Sequence, residues 1–253
     1  MIQRYHVVED AASAATGSLI MAYAIPEPTR ATIPVEGSHE LFPVRRIFCV
    51  GRNYAEHARE MGADPNKEPP FFFTKPADAL APLGGKLSFP IATRDLHYEV
   101  ELAVALKGGG RHLSADAAHA RIFGYAVALD MTQRDLQAEA KRLARPWDMA
   151  KGFDQSCPIS ALRRAALAAT ALRGELLLSV NGETRQRGDL SDMIWSPGEC
   201  LAVLSTLVEL RAGDLLLTGT PSGVGPVAAG DVLKASCALT PALIVQYLEL
   251  EAG

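Results

Sequence analysis

Tyr98 to Leu106 reads Tyr-Glu-Val-Glu-Leu-Ala-Val-Ala-Leu, and the rest of the chain is best read outward from it. Glu99 and Glu101 alternate with Val100 and Leu102, the two-residue period of a β-strand rather than the 3.6-residue period of a helix. Residues two apart on a strand share a face, so the two carboxylates point the same way. Val100, Leu102, Val104 and Leu106 predict a half-buried strand. Two like charges on one face of it either meet water or need a cation between them, because burial penalises both. Taken by itself, a solvated sheet face is the commoner situation.

Downstream, Gly108-Gly109-Gly110 ends this strand, and Ser114 is placed to cap a helix running to Ala120. Ile122 to Leu129 is a second buried strand, and Asp130 ends it. An acid there is costly unless it is paired or coordinated. With Glu99 and Glu101 it could form an open oxygen site for a hard divalent cation such as Mg²⁺.

Arg134 to Ala144 reads as a helix stopped by Pro146, and Leu176 to Val180 as a strand entering an Asn181-Gly182 hairpin turn. Pro197 to Leu210 reads as an amphipathic helix, with late strands at Leu215 to Thr218 and Leu243 to Glu251. Upstream, Ile47 to Val50 and Phe71 to Thr74 are strands, and Ala55 to Met61 is a short helix ended by Gly62. Helices and strands interleave without a strict β-α-β period. The expected fold is a mixed, strand-rich α/β domain, not a barrel or a doubly wound sheet. Small residues and then Pro26, Pro28 and Pro34 dominate residues 1–42, expected to be an N-terminal extension, partly disordered or extended, before a catalytic domain over 43–253. Met21 opens a stretch that looks like a natural start, so residues 1–20 are expected to be dispensable.

With 253 residues, 48% of them hydrophobic and 21% charged, the chain can bury a full core without staples. Its 25 basic and 29 acidic side chains leave a net charge of −4, which argues against a nucleic-acid protein. None of the four cysteines forms a C-x-x-C pair, which suits a reduced interior. Glu9 and Asp10 interrupt the place where a signal peptide would be apolar, and the cytoplasm is the expected compartment. No G-x-S-x-G, H-E-x-x-H or Walker A pattern occurs. Thr218 to Gly225 is a glycine-rich turn whose amides could hold an anion.

Two further features carry chemistry. His57 and Glu60, three apart on the short helix, share a face, and a carboxylate orienting an imidazole is a general-base arrangement. Alone, such a pair is more often a surface contact. Lys151, in Pro-Trp-Asp-Met-Ala-Lys-Gly-Phe, could anchor a carboxylate or an enolate, although in isolation it reads as a snorkelling surface lysine.

The stretches R-N-Y-A-E-H-A-R-E-M-G, F-F-F-T-K-P-A-D, H-Y-E-V-E-L, L-D-M-T-Q-R-D-L-Q, R-P-W-D-M-A-K-G-F-D and L-T-G-T-P-S-G-V-G resemble, in type and order, the motifs of the fumarylacetoacetate hydrolase family. The resemblance spans roughly residues 43 to 250. L-F-P-V-R-R-I-F-C-V-G-R-N-Y and E-P-P-F-F-F-T-K-P-A-D-A are most similar to its fumarylpyruvate-cleaving branch, in gentisate breakdown.

The resemblance implies a mixed β-roll with peripheral helices, a homodimer, and one Mg²⁺ or Mn²⁺ per site. It implies metal ligands at Glu99, Glu101 and Asp130, a water-activating dyad at His57 and Glu60, and Lys151 near the bound oxo acid. Arg52, Arg134, Gln137 and Thr220 would be substrate contacts, with Lys75 a supporting cation. The implied reaction is hydrolysis of a C–C bond in an acylpyruvate, most closely 3-fumarylpyruvate to fumarate and pyruvate. A broad acylpyruvate hydrolase, an oxaloacetate decarboxylase, an isomerase of 2-hydroxyheptadienedioate and a non-catalytic ligand-binding member are the alternatives. The intact acids, dyad and lysine speak against the last. For the far carboxylate of fumarylpyruvate the sequence offers Arg59, Arg142 and Arg145 without choosing among them.

Overall fold

The structure, a computed structural model, describes residues 23–55, 69–81, 85–165 and 172–249. The described elements begin with β1 (Thr32–Pro34), β2 (Leu41–Pro43), β3 (Arg46–Gly51), β4 (Phe71–Lys75), β5 (Gly85–Ser88) and β6 (Leu96–Tyr98). Then come β7 (Val100–Leu106), α1 (Ala115–His119), β8 (Ile122–Leu129), β9 (Thr132–Gln133), α2 (Arg134–Arg142), α3 (Asp148–Lys151) and β10 (Arg163–Arg164). β11 (Glu175–Val180), β12 (Glu183–Asp189), α4 (Pro197–Leu207), β13 (Asp214–Leu217), β14 (Gly225–Val227), β15 (Val232–Cys237) and β16 (Leu243–Leu248) follow.

These strands form a six-stranded sheet ordered β10-β8-β7-β13-β3-β4, a five-stranded sheet ordered β12-β11-β15-β16-β5, and a three-stranded sheet ordered β14-β6-β9. Both larger sheets are mixed, with one parallel pair each, β13 with β3 and β16 with β5. The strand-rich α/β expectation holds.

Side-chain parity explains why β7 and β8 read as apolar runs. On one face of the six-stranded sheet Val100, Leu102, Val104, Val127, Leu129 and Leu216 share a core with Leu178, Leu233 and Val245 of the five-stranded sheet. On the other, Ala103, Ala105, Ala126, Ala128, Leu215 and Leu217 pack with Ile33, Val35, Phe42, Ile159 and Leu162. Each large apolar side chain so buried contributes about 1.5–3 kcal/mol. β7 is therefore buried on both faces, not half buried, because the β1–β2 hairpin covers the second one. The boundary expected at residue 42 falls inside β2, and Ile33, Val35 and Phe42 of the segment before it are core.

Local chemistry sets the ends. Ser114 Oγ accepts from Ala117 N at 3.2 Å, and Ser196 with Glu199 forms a capping box at α4 with Pro197 in its first turn. Asn181 and Gly182, at φ 52° and 84°, make the expected two-residue turn between β11 and β12. The helix from Arg134 stops at Arg142, before Ala144 adopts φ 51°. The helix from Pro197 ends at Leu207, because Leu210 instead pairs with Gly110 through two 3.0 Å backbone bonds. The stretch expected as one strand over 98–106 is two, β6 in the three-stranded sheet and β7 in the six-stranded one, with the break at Glu99. Among the described residues no helix is long and apolar enough to cross a membrane.

Candidate metal centre

The break at Glu99 makes the site. β7 and β8 run antiparallel with Val100 opposite Leu129, and Asp130 N donates to Glu99 O at 2.8 Å just beyond that pair. Glu99, Glu101 and Asp130 thereby converge, each with a carboxylate oxygen within 4.8 Å of the others, and all three are buried. Two oxygens on opposite sides of one hard cation lie roughly 4–5 Å apart, so the donor set and its span fit Mg²⁺ or Mn²⁺.

Lysines surround the acids. Lys151, at the end of α3, is buried rather than snorkelling, and its Nζ donates to Glu99 Oε2 at 2.8 Å and Asp130 Oδ2 at 2.7 Å. Lys75, at the end of β4, places Nζ 2.8 Å from Asp130 Oδ1. It also donates to the carbonyls of Met131, at 3.1 Å, and of Lys151, so it ties both neighbouring backbones together. Arg134, opening α2, donates to Glu99 Oε1 at 2.7 Å and to Gln137 Oε1 at 2.8 Å.

The charges are unevenly served. Burial pushes the Glu99 carboxyl up, but Lys151 and Arg134 outweigh it and bring the pKa down to about 2. Burial pushes the Glu101 carboxyl well up, and the Asp130 and Glu99 carboxylates add to it against the weaker pull of Lys151 and the Gly219 amide. Lys151 is raised, because Asp130 and Glu99 outweigh the cost of burying its ammonium, so it stays protonated.

Glu101 Oε2 accepts from Gly219 N at 2.7 Å. Gly219 has φ 91°, and a Cβ there would stand 2.8 Å from Asn53 Cβ, so this turn position requires glycine. Asn53 holds the turn by donating Nδ2 to Thr218 O at 2.8 Å and Trp195 O at 2.9 Å while accepting from Trp195 N. Gln186, fully buried on β12, accepts from Val100 N and donates to Thr220 Oγ1 at 2.8 Å. Sequence reasoning assigned no role to Asn53 or Gln186. Asn53 lies in a quoted motif, whereas the only mark of Gln186 is an uncharged amide between Arg185 and Arg187.

The acids line one wall of a cavity of about 370 Å³. Arg52, Arg134, Gln137, Lys151 and Thr220 also line it, and Phe71, Phe73, Lys141 and Trp147 are among the other residues of the lining. Lys75 lies behind it, against Asp130. Arg52 has φ 57°, a conformation that costs a non-glycine residue energy and recurs at ligand sites. His57, Glu60 and Arg59 lie outside the described residues. Arg142 pairs with Glu139 at 2.7 Å on the exposed side of α2, and neither it nor Arg145 lines the cavity.

Residues 46–246 match the family profile described as fumarylacetoacetate (FAA) hydrolase C-terminal. The chain belongs to this family. It is 45% identical over 191 residues to the mitochondrial oxaloacetate tautomerase FAHD1 of Bos taurus, covering 76% of this chain and 86% of that protein. It is 42% identical over 197 residues to a mitochondrial oxaloacetate decarboxylase of Dictyostelium discoideum, covering 78% and 89%. Its fold superposes with a TM-score of 0.87 on the fumarylpyruvate hydrolase of Pseudomonas aeruginosa in complex with Mn²⁺ and pyruvate, at 43% identity, covering 90% of this chain and all of that one.

Proposed function

We propose that the chain is a divalent-metal-dependent hydrolase that cleaves the C–C bond of an acylpyruvate, 3-fumarylpyruvate, to fumarate and pyruvate. The observation that carries this reading is one cavity whose lining joins a buried acid triad and Lys151 to further cations and flat aromatic rings. A conjugated 2-oxo diacid carries complementary groups at both ends. The likeness to a fumarylpyruvate hydrolase holding Mn²⁺ and pyruvate supports it. The same reading makes the enzyme a cytoplasmic homodimer of the gentisate pathway.

Glu99, Glu101 and Asp130 would hold Mg²⁺ or Mn²⁺. That ion would supply positive charge to grip the 2-oxo-carboxylate end and to stabilise an enolate leaving group. Lys151, protonated by its acid neighbours, adds a donor at the same end, and Lys75 fixes the backbone on either side. Arg52, Arg134, Gln137 and Thr220 orient the acid. His57, oriented by Glu60, takes a proton from water, and the resulting hydroxide attacks the C4 carbonyl carbon. The C3–C4 bond breaks, its electron pair leaves as the enolate of pyruvate, and a proton returned to C3 completes pyruvate. The oxygen of water stays on fumarate.

A second reading, oxaloacetate tautomerase or decarboxylase, draws on the 42–45% identity to such enzymes. It shares the oxo-acid end and needs no attacking water. Metal-loaded protein is assayed with 3-fumarylpyruvate, acetylpyruvate and oxaloacetate. The expected result is stoichiometric fumarate and pyruvate, the highest kcat/KM for 3-fumarylpyruvate, and a loss of about 10²–10⁴-fold in His57→Ala with metal binding retained. Turnover of oxaloacetate without hydrolysis of either acylpyruvate establishes the second reading instead.

A further inference from the structure

Lys141 has no assigned role, yet it lines the same cavity. Arg134, Gln137 and Lys141 are spaced i, i+3 and i+7 on α2, so all three share the helix face turned to the cavity. Arg134 ends that row at the acids, bonded to Glu99. Lys141 stands roughly 10 Å further along the axis, at 1.5 Å per residue. Its side chain is exposed at the rim, and its Nζ lies 5.9 Å from the centre of the Trp147 ring. Trp147 packs on Phe73 with ring centres 5.0 Å apart, and Phe73 carries the Lys151 ammonium 5.1 Å from its own centre. An apolar, aromatic floor thus runs from Lys151 at the acid end to Lys141 at the rim.

The charge sum points the same way. Arg52, Arg134, Lys141 and Lys151 line the cavity against Glu99, Glu101 and Asp130, four cations to three carboxylates. Arg134 and Lys151 are committed to Glu99 and Asp130. Among the described residues Lys141 makes no ion pair. Partial burial lowers its pKa first, and the neighbouring Arg134, Arg52 and Lys151 lower it further against the opposing pull of Glu99.

We propose that Lys141, braced on Trp147, is the specificity-determining residue that meets the far carboxylate of an extended 2-oxo diacid whose oxo-acid end lies at the triad. This rests on the oxo-acid reading of the site and adds the length and second charge of the ligand. Oxaloacetate, whose second carboxylate lies only two bonds from its oxo carbon, is too short to span the row from Arg134 to Lys141.

The test is a binding cycle that needs no turnover. Affinities of 2-oxopimelate and 2-oxoheptanoate, equal in length but with a methyl in place of the far carboxylate, are measured by calorimetry on Mg²⁺-loaded wild type, Lys141→Met and Lys141→Arg. The wild type should prefer the diacid. Lys141→Met should lower that preference about ten- to a hundred-fold, the worth of a charge-assisted hydrogen bond, and Lys141→Arg should keep most of it. An unchanged preference in Lys141→Met, or a wild type with no preference, overturns the assignment. The two readings fail separately. A wild type that hydrolyses 3-fumarylpyruvate with no coupling at Lys141 loses this inference alone. One that shows the coupling but hydrolyses no acylpyruvate loses the hydrolase reading alone.

Discussion

The two ends of β7 each bury carboxylates, and they are built to opposite plans. At the Leu106 end, Asp214 opens β13 and is fully buried. It receives Arg45 Nη1 at 3.0 Å, Arg46 Nη2 at 2.8 Å and the Arg211 amide at 2.9 Å. One acid meets two guanidinium groups and a backbone donor, and the set is closed. At the Val100 end three acids crowd together. Among the described residues Glu101 accepts a hydrogen bond from the Gly219 amide alone. An acid with a complete set of donors holds a fold together; acids in excess of their donors, beside a cavity, make a place for a cation.

The sharpest way to break this contrast is to remove one acid from each end. Asp130→Asn should lower divalent-metal affinity and turnover by at least about a hundred-fold, as calorimetry and steady-state rates would report. Asp214→Asn should leave the rate of the folded enzyme unchanged. It should lower stability by on the order of 3 kcal/mol, read from urea unfolding, because two guanidinium groups lose their buried partner. If Asp130→Asn retained its metal, or if Asp214→Asn lost it, the two ends would not differ in kind.

A smaller effect sharpens the picture at Glu101. Burial and its acid neighbours raise its carboxyl pKa in the metal-free protein, so below that raised value the group carries a proton that a cation must displace. Mg²⁺ affinity should therefore fall as pH falls, by up to about tenfold per pH unit, with proton release measured in buffers of different ionisation enthalpy. The smallest effect concerns residues 1–20. A protein beginning at Met21 should match the full chain in rate and thermal midpoint, since among the described residues the buried core begins at Ile33. A chain that unfolded after this truncation would move the fold's beginning upstream.

The acid end was legible in the sequence because its signal is local. The two-residue spacing of Glu99 and Glu101 and the position of Asp130 after an apolar run survive folding unchanged. Lys151 was ambiguous by the same logic, since its burial depends on acids 52 and 21 residues earlier in the chain. Gln186 gave no usable signal, because its role depends on Val100 and Thr220, one on each side of it in sequence and both distant. The prolines of residues 26–43 suggested a loose extension, but pairing of β1 with β2 and burial of Ile33 and Phe42 against a sheet made much later are tertiary facts. The choice of a rim cation was equally non-local. Arg142 and Lys141 are neighbours in sequence, and only the facing of α2 separates the one that pairs with Glu139 from the one that reaches the cavity.

The break at Glu99 has a consequence for how the protein tolerates change. β6 ends at Tyr98 and β7 starts at Val100, so a single residue carries the chain from one sheet to another. Because side chains on a strand alternate, adding or deleting one residue between 99 and the middle of β7 would turn Glu101 toward the leucine and valine core and aim Leu102 at the acids. Lengthening the chain here by one alanine should be more damaging than replacing most of its side chains, and the number of residues is itself a constraint that composition does not record.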